Sequence, residues 1–207
     1  RTRDKKMMKE MIAALEKMQE RSGAFSHEYP NPFVTASVLH VLWEAKQAGA
    51  EVADSMVKRA VEALKSCRGK NGAFSYGYPG RGGAALEGAA GRMPICELAL
   101  VLWGSGTSES LKAAVDMSFK HHALLERIRK YDDHADAWHN GGFMFWYNVH
   151  ARAEAIVRLK DGAGAEKLMK TIHEIAEPDG AWVDSHELGR PYGTAMALLS
   201  LKRLGAK

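Results

Sequence analysis

Two kinds of apolar pattern alternate along the chain and predict two kinds of helix. Four stretches are apolar on nearly all sides, which is typical of helices buried in a protein interior: residues 34–43, 95–103, 147–159 and 192–201. Four other stretches carry apolar residues on one face and charges on the other: residues 5–20, 52–67, 109–130 and 164–176. The alternation therefore predicts repeated pairs of one buried and one half-exposed helix.

The second amphipathic stretch shows the pattern most clearly. Its apolar residues recur at the spacing of one helical face, at Val57, Ala60, Val61 and Leu64. Charged residues, Lys58, Arg59, Glu62 and Lys65, fall outside that face. Glycines follow the buried stretches at Gly49, Gly104 or Gly106, Gly162 and Gly205. Since glycine adopts the left-handed conformation easily, we expect these glycines to end the buried helices.

A short turn of the form Gly-Ala-aromatic is repeated before the apolar stretches. It occurs at residues 23–25, 72–74 and 180–182, with a looser copy at residues 141–143. We expect the aromatic residues, Phe25, Phe74, Phe143 and Trp182, to pack as wedges between helix pairs. The pattern predicts an all-α domain over residues 1–207, with about four helical hairpins in two concentric layers and no place for a sheet.

One long irregular stretch interrupts the pattern. Residues 76–91 are rich in glycine and lack helical periodicity. Loops of this length inside compact domains are usually functional or mobile. We therefore expect a flexible flap across the mouth of the helical ring.

Composition narrows the possible functions. A chain of 207 residues with 46% hydrophobic content can bury a sizeable core. The net charge of +4 comes from basic residues scattered along the chain, so a nucleic-acid surface is not predicted. No apolar run reaches the ~20 residues of a transmembrane helix. Cys67 and Cys96 have no zinc-type spacing, although they could pair across the fold, and no cofactor is predicted.

The last Gly-Ala-Trp turn carries a resemblance to a known superfamily. Asp179-Gly180-Ala181-Trp182 and the following residues 192–201 resemble the last repeat of bacterial prenyltransferase and squalene oxidase repeat proteins. Residues 145–151 resemble their preceding inner helix. The resemblance to this terpenoid cyclase and protein prenyltransferase superfamily implies an α/α toroid. With about four hairpins rather than about six, the toroid would be partial, or this would be part of a longer chain.

The sequence departs from the catalytic signatures of that superfamily. Its class II cyclases use an Asp-x-Asp-Asp motif, which is absent, and the nearest acidic cluster at residues 132–136 has the wrong order. Its protein prenyltransferases hold zinc with an Asp, a Cys and a His, but no Asp-x-Cys pair occurs. The leading hypothesis is therefore a toroid-type binding module whose cavity holds a small molecule or a peptide.

The turns before the buried helices supply candidate site residues. Helix N-termini gathered at one end of a ring make that end electropositive, and nearby side chains should converge on the cavity mouth. The residues expected to line the cavity are His27, Tyr29, Arg92, Cys96, His139, Tyr147, His150, His186 and Tyr192. Glu97, Trp138, Asn140 and Asp184 fall in the same regions. Aromatic groups beside carboxylates and imidazoles suit a cyclic, partly apolar ligand.

Three alternatives remain open at the sequence level. The chain could be an enzyme on isoprenoid or carbohydrate-like substrates, with Glu28, Asp136 or Glu187 as general acid. It could also dock onto the remainder of a longer chain, because repeat arrays without terminal caps leave apolar faces uncovered. Histidines and aspartates at residues 121–150 suit a metal chemically, but they lack the spacing of a ligand face, so no metal site is predicted.

Overall fold

The computed structural model of the chain describes residues 2–80 and 84–206. This part is mostly helical, which confirms the predicted all-α class. The helices are α1 (Thr2–Met18), α2 (Pro32–Gln47), α3 (Asp54–Ser66), α4 (Leu86–Ala89), α5 (Met93–Leu102), α6 (Ser108–Lys120), α7 (His122–Arg127), α8 (Phe145–Leu159), α9 (Gly162–Glu174) and α10 (Gly189–Leu204). A short 3-10 helix, Gly142–Met144, precedes α8.

The predicted apolar stretches coincide in position with α2, α5, α8 and α10, and the amphipathic stretches with α1, α3, α6 with α7, and α9. The prediction that the last apolar stretch is buried on nearly all sides was wrong, because Leu198 and Leu199 of α10 are about half exposed. In α3 the predicted stripe of Val57, Ala60, Val61 and Leu64 is buried, and the charged residues beside it are exposed. Local chemistry fixes where α2 begins. Asn31 caps the helix by accepting a hydrogen bond from the Val34 N–H (2.9 Å), and Pro32 occupies the first turn, where a missing N–H costs nothing.

The chain divides into two compact units. Unit 1 comprises residues 1–84 and 96–107, and unit 2 comprises residues 85–95 and 108–207. In unit 1, α2 packs against α1, α3 and a short β-ribbon. In unit 2, α8 packs against α6, α9 and α10, and Trp146 on α8 is fully buried. The assignment of residues 1–207 to a single domain stays a prediction.

The three Gly-Ala-aromatic turns share one hydrogen-bonding scheme. Their glycines have φ angles of 88°, 83° and 80°, at Gly23, Gly72 and Gly180. Each glycine N–H donates to the carbonyl three residues earlier, and the N–H of that earlier residue donates to the carbonyl that follows the glycine. The side chain before each glycine, on Ser22, Asn71 or Asp179, accepts from the alanine N–H. The sequence repeat is therefore a true structural repeat.

The turn aromatics are buried in three of the four copies, and their packing as wedges between helix pairs stays a prediction. Phe25, Phe74 and Trp182 are buried, while Phe143 is half-buried. The fourth turn was assigned two residues too late. Its left-handed residue is His139 (φ 56°), whose N–H donates to the Asp136 carbonyl (3.1 Å) as the glycines do in the other turns.

Two expectations about irregular regions need correction. Residues Phe25–Ser26 (β1) and Pro30–Asn31 (β2) pair as an antiparallel ribbon, so the prediction that no sheet would form was wrong. The tight loop between them brings the two short segments close enough to share backbone hydrogen bonds. The stretch 76–91 is also not wholly irregular, because it contains α4. Residues 81–83 lie outside the described part, and the flap stays a prediction.

The predicted helix ends are largely correct. Gly49, Gly104 and Gly205 follow their helices with positive φ angles. Gly162 was wrongly assigned, because α8 ends at Leu159 and its C-cap residue is Lys160, which is itself left-handed (φ 55°). Gly162 instead begins α9, whose first turn is capped by the Asp161 carboxylate accepting from the Gly164 N–H (2.9 Å).

Candidate functional site

Unit 1 carries a cluster of three aromatic rings, which we call the aromatic cluster: Tyr29, Phe33 and Tyr76. The centroid of the Tyr76 ring lies 6.1 Å from that of Tyr29 and 5.6 Å from that of Phe33, with tilted planes. Tyr29 is 42% exposed, and the other two rings are half-buried. The cluster therefore joins two consecutive repeat loops in a partly solvent-facing aromatic surface.

Backbone contacts hold the aromatic cluster in place. The Asn31 side-chain amide donates to the Tyr29 carbonyl (2.9 Å) while its oxygen caps α2. The Tyr78 N–H donates to the Pro30 carbonyl (2.8 Å), which ties the second loop to the first. At Gly77, an added Cβ would lie 3.8 Å from the Tyr29 ring, so this ring rests beside the second loop. These hydrogen bonds to the backbone of residues 29 and 30 therefore position the loops that carry the aromatic cluster.

Polar groups adjoin the aromatic cluster. His27 and Glu28 are exposed on the loop between β1 and β2, next to Tyr29. Cys96, which was expected to line the same cavity, is fully buried in α5 and is not part of a disulfide. The neighbouring Glu97 is also buried, and its carboxylate pairs with the Arg68 guanidinium. His27, Glu28 and Tyr29 are thus exposed on one loop, while Cys96 presents no group to solvent, and their convergence on one cavity stays a prediction.

A shallow groove of about 530 Å³ lies beside the second turn of unit 1. It is lined by residues 66–71 and Gly80. Much of this lining is turn backbone, and the Arg68 guanidinium in it is held by Glu97. The groove offers fewer convergent polar side chains than the loops that carry the aromatic cluster.

Unit 2 contains a buried acid, Asp184, close to the N-terminus of α8. One carboxylate oxygen accepts from the backbone N–H of Ser185 (2.6 Å), and the backbone N–H of Trp146 also donates to the carboxylate. The other oxygen, Oδ2, is buried and has no hydrogen-bond partner among the described residues. Burial raises the pKa of Asp184 to about 6, despite the opposing N–H bonds and the positive charge of Arg129. Burial and the Asp184 charge raise the pKa of Tyr192 to about 12.

Arg129 and Gly193 shape the segment that carries Asp184. The Arg129 guanidinium donates to the carbonyls of Val183 (3.2 Å) and Ile175 (3.3 Å) and pairs with Glu177. At Gly193, an added Cβ would lie 2.8 Å from the Asp184 nitrogen, so only glycine lets α10 approach the segment this closely. The carboxyl is thereby held between α8 and α10.

The other acids predicted for unit 2 are in different environments. Asp136 accepts hydrogen bonds from the N–H groups of Trp138 and Asn140, both at 2.9 Å. Burial acts to raise the pKa of Asp136, but hydrogen bonds from Asn140 and Trp138 outweigh it and hold the pKa below its ordinary value. Asp136 is therefore an ionised turn cap at neutral pH. Glu187 is exposed, and its backbone N–H donates to Asp132 (2.8 Å).

The remaining predicted residues of unit 2 are spread over several places. His186 is exposed near Asp132, His139 is exposed in the fourth turn, and Tyr147 is half-buried on α8. His150 lies 3.8 Å from Glu154, which pairs with Arg203 across the contact between α8 and α10. Arg92 donates to the Gly88 carbonyl. Of the predicted residues, Tyr192 interacts electrostatically with Asp184.

Counting residues from each turn aromatic identifies residues of both the aromatic cluster and the buried acid. The residue two places after the turn aromatic is His27 in the first copy, Tyr76 in the second and Asp184 in the last. Sequence reasoning omitted Tyr76 and Phe33 and did not select Asp184 as an acid. Aligning the turns on their glycines, instead of searching for known acidic motifs, would have singled out Tyr76 and Asp184.

Neither the described residues nor comparison with known proteins assigns this chain to a family. Among the described residues, no group of three or more His, Cys, Asp or Glu residues is arranged to hold a metal ion. No helix in the described part of the chain combines the length and apolar character that a bilayer crossing requires. No known family model matches the chain, and no curated protein is significantly similar to it. The resemblance to the terpenoid cyclase superfamily therefore stays a prediction.

Proposed function

We propose that the chain is a ligand-binding module of the partial α/α-toroid type, in which the aromatic cluster binds a cyclic, partly apolar ligand such as a sugar ring. The observation that carries this proposal is the side-by-side arrangement of Tyr29, Phe33 and Tyr76 on two tied loops. Aromatic faces contact the apolar face of such a ring, while His27 and Glu28 offer hydrogen bonds to its hydroxyl groups.

Oligosaccharide binding tests the proposal. We expect saturation-transfer NMR against a panel of gluco- and manno-oligosaccharides to detect at least one ligand. Tyr29→Ala removes one stacking partner, worth about 1 kcal/mol, and should weaken binding roughly fivefold. Tyr131→Ala is the matched control, because Tyr131 is a similarly exposed tyrosine in unit 2. Absence of any bound oligosaccharide, or equal weakening by both substitutions, would contradict the proposal.

The second candidate function is an acid-catalysed reaction on a carbohydrate-like or isoprenoid substrate, with Asp184 as the proton donor. It is favoured by a buried carboxyl whose Oδ2 lacks a partner in the described residues and whose pKa is raised to about 6. Such a group holds a proton close to neutral pH and can deliver it to a glycosidic oxygen or an alkene. Glu28 and Glu187 are exposed, and Asp136 is ionised, so they suit this role less well.

Turnover separates the two functions. If the same oligosaccharides, or isoprenoid alcohols, are converted to products, Asp184→Asn should lower the rate at least about a hundredfold, the usual worth of a general acid. Asp179→Asn, in the adjacent turn and exposed, is the control and should leave the rate unchanged. If these compounds are bound but not converted, the ligand-binding function is better supported than the enzymatic one.

A further inference from the structure

A buried arginine in unit 2 lacks the anionic partner that such a residue normally has. Arg152 lies in the middle of α8 and is 1% exposed. Its Nε has no hydrogen-bond partner among the described residues. One terminal nitrogen lies 3.4 Å from Nδ1 of His122, and no carboxylate of the described chain pairs with the guanidinium. Burying an unpaired cation is costly, since the effective desolvation penalty is several kcal/mol.

The groups around Arg152 add positive charge. The Phe119 ring contacts both the Arg152 guanidinium (4.8 Å) and the Lys167 ammonium (4.4 Å). Burial, Arg152 and Lys167 together lower the pKa of His122 to about 4, so its imidazole is neutral at physiological pH. Glu126 lies 4.0 Å from Nε2 of His122, the ring nitrogen not directed at Arg152. Arg152 and Lys167 therefore flank the Phe119 ring, and no acid of the described residues forms an ion pair with either of them.

Because no acid of the described residues pairs with Arg152, a ligand for this position would be an anion. Arginine presents several N–H donors in a planar fork that matches phosphate and similar oxyanions, lysine adds a point charge, and histidine supplies a further N–H. Lys167 is exposed and Phe119 is half-buried, so the approach to Arg152 lies on the side of these two residues. Movement of the flexible Lys167 side chain and the Phe119 ring would open it.

We propose that Arg152, His122 and Lys167 form a binding site for a phosphate-type oxyanion in unit 2. The site is separate from the aromatic cluster and from Asp184, and it does not depend on the proposed function. The anion satisfies the free Nε of Arg152 and offsets the two positive charges. Because the anion also favours protonation of His122, binding of an anion of fixed charge should strengthen as the pH falls toward the pKa of the histidine.

Titration of the full chain with inorganic phosphate tests the site, with sodium chloride at matched ionic strength as the reference. We expect saturable binding by calorimetry and a phosphate-dependent upward shift of the His122 pKa in NMR spectra. Lys167→Gln should weaken binding severalfold, and Arg152→Met should weaken it at least tenfold. Lys170→Gln removes a comparable exposed lysine of α9, one that faces Glu174, and should have no effect.

Phenyl phosphate in a parallel titration distinguishes the source of the anion. Tighter binding of inorganic phosphate indicates the free ion, and tighter binding of phenyl phosphate indicates a phosphorylated ligand. Lys167→Gln is a surface change and keeps the test decisive if Arg152→Met alters folding. The proposal is overturned if phosphate binding is not saturable, if chloride produces the same effect, or if Lys167→Gln and Lys170→Gln behave alike.

Discussion

Two buried titratable residues of unit 2 have opposite effects on how stability changes with pH. The folded-state pKa of Asp184 is raised from 3.8 to about 6, so between these values the folded protein holds a proton that the unfolded chain has released. Its contribution to stability is present below pH 3.8 and is lost as the pH rises through about 6. His122 has its pKa lowered from 6.5 to about 4. Its contribution is present above pH 6.5 and is lost as the pH falls through about 4.

These two dependences oppose each other over nearly the same pH range, so we predict that single substitutions will separate them. Relative to the native protein, Asp184→Asn should make the free energy of unfolding rise with pH between about 4 and 6.5, because only the His122 effect remains. His122→Gln should make it fall with pH over the same range. Each change should be at most about 3 kcal/mol, measured by urea unfolding at several pH values.

The double substitution is the control for this comparison. Asp184→Asn combined with His122→Gln should restore a pH dependence parallel to that of the native protein, because both titrating groups are gone. If Asp184→Asn left the pH dependence unchanged, the carboxyl would have an ordinary pKa in the folded protein. The second candidate function would then lose its main support.

At the scale of elements, the turns and the following helices are joined by the same kind of side chain in the first and last repeats. Thr35 on α2 accepts from the Phe25 N–H (2.9 Å), and Thr194 on α10 accepts from the Trp182 N–H (3.1 Å). Each threonine thereby satisfies a backbone N–H beside a buried aromatic, where an unpaired donor would cost about 1–3 kcal/mol. In both repeats the unit is thus a turn, a buried aromatic residue and a helix whose threonine bonds to that residue's backbone.

Helical periodicity made these elements predictable, because the spacing of apolar residues within α3 or α8 indicates which of their residues are buried. The exceptions depend on contacts distant in sequence. The environment of Asp184 requires the Trp146 N–H of α8 and the close approach of α10 at Gly193, neither of which shows in the residues around it. Likewise, His139 replaces glycine in the fourth turn because Asp136 holds that loop through two backbone N–H groups.

At the scale of the whole molecule, the two compact units are interleaved along the chain. The chain passes from one unit to the other after residues 84, 95 and 107. The second of these points lies inside α5, whose residues 93–95 belong to unit 2 and whose later residues belong to unit 1. Because helix formation is cooperative, unfolding of one unit should destabilise α5 and with it the other unit.

We therefore predict that the chain unfolds in one cooperative transition, which paired glycine substitutions can test. Gly180→Ala should lower the stability by about 1 kcal/mol, because the left-handed conformation is strained for alanine. Gly23→Ala should cost more, because its Cβ would also lie 2.4 Å from the Arg59 carbonyl oxygen. Gly162→Ala, which has open space and no positive φ, should be neutral or slightly stabilising.

The readout is whether substitutions in different units move the same transition. Trp43 and Trp103 report on unit 1, and Trp138, Trp146 and Trp182 report on unit 2, so single-tryptophan variants can follow each unit separately. With coupling through α5, Gly23→Ala and Gly180→Ala should each shift both sets of fluorescence signals to the same new midpoint. If Gly23→Ala moved only the unit 1 signals and Gly180→Ala only the unit 2 signals, the units would fold independently and the helix they share would not couple them.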